Sequence, residues 1–233
     1  MTALLKMKQT TSEIALSGLA AVLDLSGALF LADENVLLVA DLHFEKGSSF
    51  ARRGMMLPPY DTRETLKALR QAVSRFSPRA VIALGDSFHD VGGPDRLGEE
   101  ERATLAAVQA GRDWIWVTGN HDHTLPANIG GEVVETMTLG PLTLRHEPEE
   151  GTQSEVAGHL HPVGKVVMRG RSTRRRCFLT DGTRCIMPAL GAYAGGLNAC
   201  DAAFEPLFPN SFTAHLIGSE RIFAIARGML CGD

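Results

Sequence analysis

The 233-residue chain has an ordinary globular composition, with 44% hydrophobic and 21% charged residues. It carries 23 Lys and Arg against 27 Asp and Glu, and this formal net charge of -4 gives no overall attraction to nucleic acid or to an anionic membrane. No apolar run approaches the roughly 20 residues needed to cross a bilayer. The four cysteines form no C-x-x-C pair, and nothing resembles a secretory signal. We therefore expect one domain over residues 1–233, in the cytoplasm, with reduced thiols and no membrane contact.

The first half of the chain predicts alternating strands and helices. A hairpin is expected over Ala28–Ala40, and three short apolar runs are typical of buried strands: Val36–Ala40, Ala80–Leu84 and Trp114–Thr118. Asp61–Phe76 has apolar residues at helical spacing and a capping box formed by Asp61 and Glu64. Residues 99–110 are rich in helix formers, and Gly111 follows them as a C-cap. The pattern predicts a β-α-β-α-β unit.

The second half of the chain predicts antiparallel hairpins. Turn signals occur between short strand-like runs at Gly140-Pro141, Asp181-Gly182 and Gly218-Ser219. Because the N-terminal stretch also reads as a hairpin, strands from both ends of the chain would join two sheets. We therefore expect an α/β (α+β) fold built as a β-sandwich flanked by helices.

Side chains of the types that coordinate metal ions follow the predicted strands at the points where the strands end. Asp41 and His43 come directly after the first strand, and residues two apart on an extended backbone point in the same direction. Asp86 follows the second strand and Asn120 the third, at the sheet edge where ligands bind in open α/β sheets. His146 ends a later strand, and an H-x-H pair comes after it. The candidate ligands are Asp41, His43, Asp86, Asn120, His146, His159 and His161.

These donors are too many for one ion and suit two ions about 3.5 to 4 Å apart that share a carboxylate. Asp86 is the natural bridge. Imidazole and carboxylate donors without thiolate favour manganese, iron or zinc over calcium. The sequence therefore predicts two divalent metal ions, with manganese first and iron or zinc as alternatives.

The motif order D-x-H, G-D, G-N-H-D, H and G-H-x-H, from Asp41 to His161, resembles the calcineurin-like metallophosphoesterase superfamily. The resemblance implies a four-layer αββα sandwich of two mixed β-sheets flanked by helices. Carried over motif by motif, it gives one ion the ligands Asp41, His43, Asp86 and His161. It gives the other ion the ligands Asp86, Asn120, His146 and His159.

The same resemblance makes His121 the unliganded catalytic histidine. A hydroxide bridging the two ions would attack phosphorus, and His121 would donate a proton to the departing oxygen. The adjacent Asp122 would orient His121. The expected function is phosphodiester hydrolysis. The alternatives are a phosphomonoesterase or nucleotide pyrophosphatase with the same metal site, and a non-catalytic scaffold of the same fold.

Further stretches resemble one group within that superfamily, the bacterial ligase-associated DNA damage response endonucleases. They are A-D-L-H-F-E-K-G from Ala40, L-G-D-S-F-H-D from Leu84, P-A-L-G from Pro188 and G-G-L-N from Gly195. This resemblance implies a DNA-processing nuclease that works beside a DNA ligase and a helicase. It carries no expectation about the oligomeric state.

A run of basic residues surrounds a predicted hairpin and consists of Lys165, Arg169, Arg171, Arg174, Arg175 and Arg176. It could follow a nucleic acid backbone, with Arg175 and Arg176 as the candidate substrate contacts. The alternative is a solvated hairpin.

Three histidines remain outside the ligand set and the catalytic role. His89, with Asp90, lies just after Asp86, so the pair either orients ligands or belongs to an ordinary polar loop. His123 and His215 are expected to be structural or surface residues. The glycine-rich segment 188–198 is expected to be a loop near the site or a turn where two sheets meet.

Overall fold

The computed structural model describes residues 11–233, which form two β-sheets packed face to face. The first sheet contains, in order across it, β1 (Thr11–Leu16), β2 (Leu19–Asp24), β3 (Leu29–Leu31), β4 (Val36–Ala40), β5 (Ala80–Leu84), β6 (Asp113–Val117) and β7 (Glu132–Val134). Strands β1 to β4 pair antiparallel, whereas β4 to β7 pair parallel. The predicted N-terminal hairpin and the three predicted buried strands are confirmed.

The helices of the described chain are α1 (Lys46–Arg52), α2 (Asp61–Phe76), α3 (Gly93–Arg96) and α4 (Glu99–Gln109). Helix α2 connects β4 to β5 and α4 lies between β5 and β6, so the predicted β-α-β-α-β unit is confirmed. None of the helices in this part of the chain is both long and apolar enough to cross a membrane.

Helix α2 packs against the first sheet through the apolar positions that predicted it. Leu66 and Leu69 are buried among sheet residues, and each such side chain contributes about 1.5 to 3 kcal/mol relative to exposure. The predicted capping box is wrong, because Tyr60 is the N-cap and the Asp61 carboxylate accepts the Gly47 N–H at 2.9 Å. Gly111 follows α4 with a φ of 76°, as the C-cap prediction required.

The second sheet is mixed. It contains, in order, β15 (Ile222–Ala226), β14 (Thr213–Ile217), β12 (Arg171–Thr180), β13 (Arg184–Ile186), β10 (Glu155–Ala157), β9 (Leu142–Arg145) and β8 (Met137–Leu139). Strand β11 (Val163–Met168) pairs with β12 outside this order. The hairpins β8–β9, β12–β13 and β14–β15 lie at the predicted turns. Strand β10, however, pairs parallel with both β9 and β13, which the turn signals did not predict.

Three apolar layers hold the sandwich together. Leu38, Val156 and Phe178 are fully buried between the two sheets, and α2 and α4 cover the outer face of the first sheet. The outer face of the second sheet packs against Phe204 and Phe208, which belong to the segment 199–212. The predicted sandwich of two mixed sheets with helices is confirmed, although in the described residues this last layer is irregular chain with a short 3₁₀ turn rather than an α-helix.

Candidate metal centre

The first group of potential ligands comprises Asp41, His43 and His161, whose ligand atoms all lie within 4.8 Å of one another. His161 Nε2 is 3.1 Å from Asp41 Oδ1 and 3.3 Å from His43 Nε2. Metal–nitrogen and metal–oxygen bonds of about 2.0 to 2.2 Å place two ligands of one ion about 3 to 3.5 Å apart. These three side chains therefore fit a single divalent cation.

The second group comprises Asp86, His146 and His159. His146 Nε2 lies 3.4 Å from Asp86 Oδ2 and 3.2 Å from His159 Nδ1. The opposite ring nitrogen, His146 Nδ1, donates to the Leu84 carbonyl at 3.1 Å. That bond fixes the tautomer and turns the Nε2 lone pair towards the group. The donor set again fits one cation.

The backbone around the first ligands is not extended, contrary to the expectation. Asp41 and His43 have φ values of 53° and 45°, and His159 and His161 have 67° and 44°. Positive φ costs a residue with a side chain about 1 to 2 kcal/mol, and such strain clusters at functional sites. The fully buried Leu42 anchors the first segment between its two ligands.

Asp86 connects the second group to the loop after β6. Its Oδ1 accepts the backbone N–H of His121 at 2.9 Å, and a Cβ on Gly119 would lie 2.3 Å from the Asp86 nitrogen. The absence of a side chain at Gly119 thus lets this loop approach Asp86. Asn120 lies on the same loop and is exposed. A shared Asp86 and a ligand role for Asn120 remain predictions.

His121 lies beside the second ligand group. Its Nδ1 donates to the backbone carbonyl of His89 at 2.8 Å, and its Nε2 lies 3.9 Å from Asp86 Oδ2. Its side chain is 45% exposed. The other ring nitrogen, Nε2, therefore faces the second ligand group, and the side chain is open to solvent.

Asp122 acts on the backbone that carries His121. It is fully buried, and its carboxylate accepts the N–H groups of Phe88 at 3.0 Å and Gly119 at 3.1 Å. Burial, the largest influence, raises the pKa of Asp122 to about 6. The contact to the His121 imidazole comes from His89 instead.

His89, whose role the sequence left undecided, contacts both His121 and His43. Its ring stacks on His121 with a centroid distance of 5.0 Å, and its Nδ1 lies 3.5 Å from Nδ1 of His43. Asp90 forms a two-point ion pair with Arg96 at 2.8 Å, which ties down the chain on which His89 sits. These contacts favour an orienting role for both residues. His123 is exposed and His215 is buried.

The side chains of the metal centre shift one another's pKa values. Burial, reinforced by His161, lowers the pKa of His43 to about 2. Burial, the largest single influence, would raise the pKa of Asp86, but His146, the His121 backbone N–H and His43 together lower it. Burial likewise opposes the protonation of His146, but Asp86 and Asp41 raise its pKa to about 9. A neutral His43 and an ionised Asp86 are ready to bind a cation, whereas His146 must first lose a proton.

The glycine-rich segment 188–198 supports the centre, and sequence reasoning left this role open. The Gly191 N–H donates to the Asp41 carbonyl at 3.1 Å, and a Cβ at Gly191 would lie 2.3 Å from the Leu42 carbonyl oxygen. Further along, a Cβ at Gly196 would lie 2.5 Å from the His161 carbonyl oxygen. The segment therefore contacts both chain stretches that supply the first ligand group.

The two candidate substrate arginines occupy different environments. Arg175 is exposed, and its Nη1 donates to the Arg174 carbonyl at 3.1 Å. Arg176 is partly buried, and its guanidinium donates to the Ala189 carbonyl. Arg176 thus braces the segment 188–198, whereas Arg175 faces solvent.

The sandwich and its paired ligand groups define a metallophosphoesterase. A family model described as calcineurin-like phosphoesterase matches residues 34–171. The match spans more than half of the chain, so this protein belongs to the calcineurin-like phosphoesterase family. The family uses divalent metals, and both ligand groups lie within the matched residues. The chain is accordingly a metal-dependent phosphoesterase.

Comparison with solved structures adds to the family assignment. The crystal structure of Pseudomonas putida nuclease MPE matches with a TM-score of 0.72 and 28% identity, covering 92% of this chain and 100% of that chain. A protein of unknown function from Aquifex aeolicus matches with a TM-score of 0.37 and 14% identity, covering 54% of this chain and 78% of that chain, and this likeness carries no argument. No curated protein sequence matches the chain.

Proposed function

We propose that this chain is a binuclear metal-dependent phosphodiesterase that acts on DNA. The observation that carries the proposal is that two ligand groups, of three residues each, lie beside the half-exposed His121. The Pseudomonas putida structure, a nuclease, supports the choice of a nucleic acid substrate. From the family resemblance alone, we extend the proposal to work beside a DNA ligase and a helicase. The cytoplasmic location is proposed from the cysteine pattern.

Each residue of the site has its own role in the proposed reaction. Two divalent ions, manganese for preference, would supply an activated water at neutral pH and neutralise the phosphate oxygens. Asp41, His43 and His161 would hold one of them, and the group around Asp86 would hold the other with help from Asn120. In its doubly protonated form His121 would give its Nε2 proton to the departing oxygen and be left neutral, with Nδ1–H still bonded to the His89 carbonyl that fixes the ring.

Asp122 keeps the loop that carries His121 in place through its two backbone hydrogen bonds. Because a small misplacement of a catalytic group costs much of its effect, we propose that Asp122 contributes to turnover by positioning. We propose that the exposed Arg175 contacts a substrate phosphate. Arg176 contributes by bracing the segment 188–198 behind the first ligand group.

The test is hydrolysis of an aryl phosphodiester and of the corresponding monoester by chelator-stripped protein with manganese added back. We expect manganese to restore activity that favours the diester. His121→Ala should lower kcat about 10²- to 10⁴-fold while leaving manganese binding intact. The matched control is His123→Ala, which removes an exposed histidine from the same loop.

Each competing function has its own outcome in this assay. Preference for the monoester would replace the nuclease proposal with a phosphomonoesterase. Inactivity on both esters with every divalent ion tested would favour a scaffold. Equal loss of activity and of bound manganese in His121→Ala would overturn the proton-donor role.

A further inference from the structure

A two-stranded ribbon follows the metal-centre residue His161 along the chain. It consists of residues 163–176, in which β11 pairs with the first half of β12 from Val163↔Arg176 to Met168↔Arg171. The second half of β12 belongs to the second sheet. The ribbon begins two residues after the ligand His161, and at about 3.3 Å per residue its six pairs extend roughly 17 to 20 Å.

The ribbon ends in a tight turn. Arg169 and Gly170 connect the two strands and have φ values of 51° and 75°. Positive φ at both central residues is the mark of a type I′ turn, whose twist matches that of the flanking strands. A tight turn of this kind presents the ribbon with little internal freedom, which lowers the entropic cost of binding.

The charge of the ribbon contrasts with that of the chain. Its residues include six cations and no acidic side chain, in a protein of net charge -4. The cations are Lys165, Arg169, Arg171, Arg174, Arg175 and Arg176. Arg174 contacts Asp233 at 3.2 Å, and Arg176 is engaged by Ala189. In the part of the chain that the structure describes, Arg169, Arg171 and Arg175 have no acidic partner within 4.0 Å.

Arg171 and Arg175 are exposed and lie four residues apart on one strand, so they project from the same face of the ribbon. Met168 pairs with Arg171 on that face and is 65% exposed, and the adjacent Val167 is 58% exposed. A face that carries two cations and an exposed Met168 suits a partner with a phosphate backbone and apolar base edges such as thymine methyl groups.

From these features we propose that the ribbon holds double-stranded DNA in its major groove while the backbone reaches the metal centre, an inference that rests on the proposed function. The major groove of B-form DNA is about 12 Å wide and admits a two-stranded β-ribbon. Side chains cannot read the narrow major groove of an RNA duplex. Single strands are bound by stacking on aromatic residues, and residues 163–176 contain none.

The test measures binding apart from cleavage. The His121→Ala protein, loaded with manganese, is titrated into a fluorescein-labelled 20-base-pair DNA duplex at several salt concentrations, and anisotropy gives the affinity. Adding Arg171→Ala and Arg175→Ala should weaken binding about 10- to 100-fold at low salt. The slope of log affinity against log salt should become shallower by about 1.8, since each lost phosphate contact accounts for about 0.9.

The matched control removes two cations from the outer surface of α2, with Lys67→Ala and Arg70→Ala. It should leave the affinity and the slope unchanged. An RNA duplex and a single DNA strand of the same sequence are measured in parallel, and both should bind more weakly than the DNA duplex.

Three results would overturn the ribbon proposal. They are an unchanged slope in the ribbon variant, an equal loss in the α2 control, and tighter binding of the RNA duplex or of the single strand. Hydrolysis of the aryl phosphodiester by the wild-type chain is measured separately. No hydrolysis by the wild-type chain, with ribbon-dependent DNA binding intact, would refute the enzyme proposal alone. Hydrolysis without ribbon-dependent binding would refute the ribbon proposal alone.

Discussion

Replacing Gly85 with alanine should damage the metal centre more than the fold. Gly85 has a φ of 73°, and a Cβ added there would lie 2.3 Å from both Cγ and Nδ1 of His146. The same Nδ1 donates to the carbonyl of Leu84, the preceding residue. The new methyl group would therefore push the imidazole away from the peptide that holds it.

A second glycine provides the matched control. Gly111 has a φ of 76°, and a Cβ there would meet no atom within 4 Å. Alanine in this conformation costs about 1 to 2 kcal/mol, so Gly111→Ala should lower the free energy of unfolding by that amount. Overpacking adds about 1 to 3 kcal/mol, and Gly85→Ala should therefore cost about 2 to 5 kcal/mol.

The effect on metal binding should separate the two variants further. Loss of the hydrogen-bond partner of a metal-ligating histidine typically lowers the metal affinity about 10- to 100-fold. We expect this loss for Gly85→Ala and not for Gly111→Ala. Urea unfolding in chelator gives the stabilities, and calorimetric titration with manganese gives the affinities. Equal manganese affinities in the two alanine variants would refute the reasoning, because they would show that His146 tolerates the added methyl group.

Three further predictions follow from other contacts. Arg184→Met should lower the free energy of unfolding by about 3 to 5 kcal/mol, because buried Arg184 pairs with buried Glu155 and donates to the Leu207 carbonyl. A loss below about 1 kcal/mol in urea unfolding would contradict this prediction. Manganese affinity, measured by calorimetry, should rise from pH 6 to pH 9. Burial opposes protonation of His146, but the nearby carboxylates outweigh it and raise its pKa to about 9, so the ion must displace a proton. A flat pH profile would count against this prediction. Chelation should lower Tm in thermal scans, since ions that bind the native state stabilise it, and an unchanged Tm would exclude such linkage.

The sequence predicted the strand ends well because their signals are local. Val36–Ala40 and Ala80–Leu84 are short apolar runs that stop at polar residues, and both are strands over those residues. Parallel pairing then brings Asp41 and Asp86 to one sheet edge, as expected of an open α/β sheet. The structure places each of them in a ligand group with histidines from the second half of the chain.

The features that the sequence did not predict depend on contacts between distant residues. Asp61 satisfied the capping pattern, but its carboxylate binds Gly47 of the preceding helix instead. Arg176 looked like a free cation, and only the fold brings the Ala189 carbonyl to it. The parallel pairing of β10 joins strands that no turn connects directly. Local patterns carry no information about such pairs.

Each ligand group draws on both sheets. Asp41, His43 and Asp86 follow strands of the first sheet, whereas His146, His159 and His161 follow strands of the second. A growing chain therefore has the residues of the second group only after residue 159 and those of the first only after residue 161, and neither group forms until the two sheets have met. Partly folded forms lack both cation sites, so hydrolytic activity can arise only in a molecule whose halves have already docked.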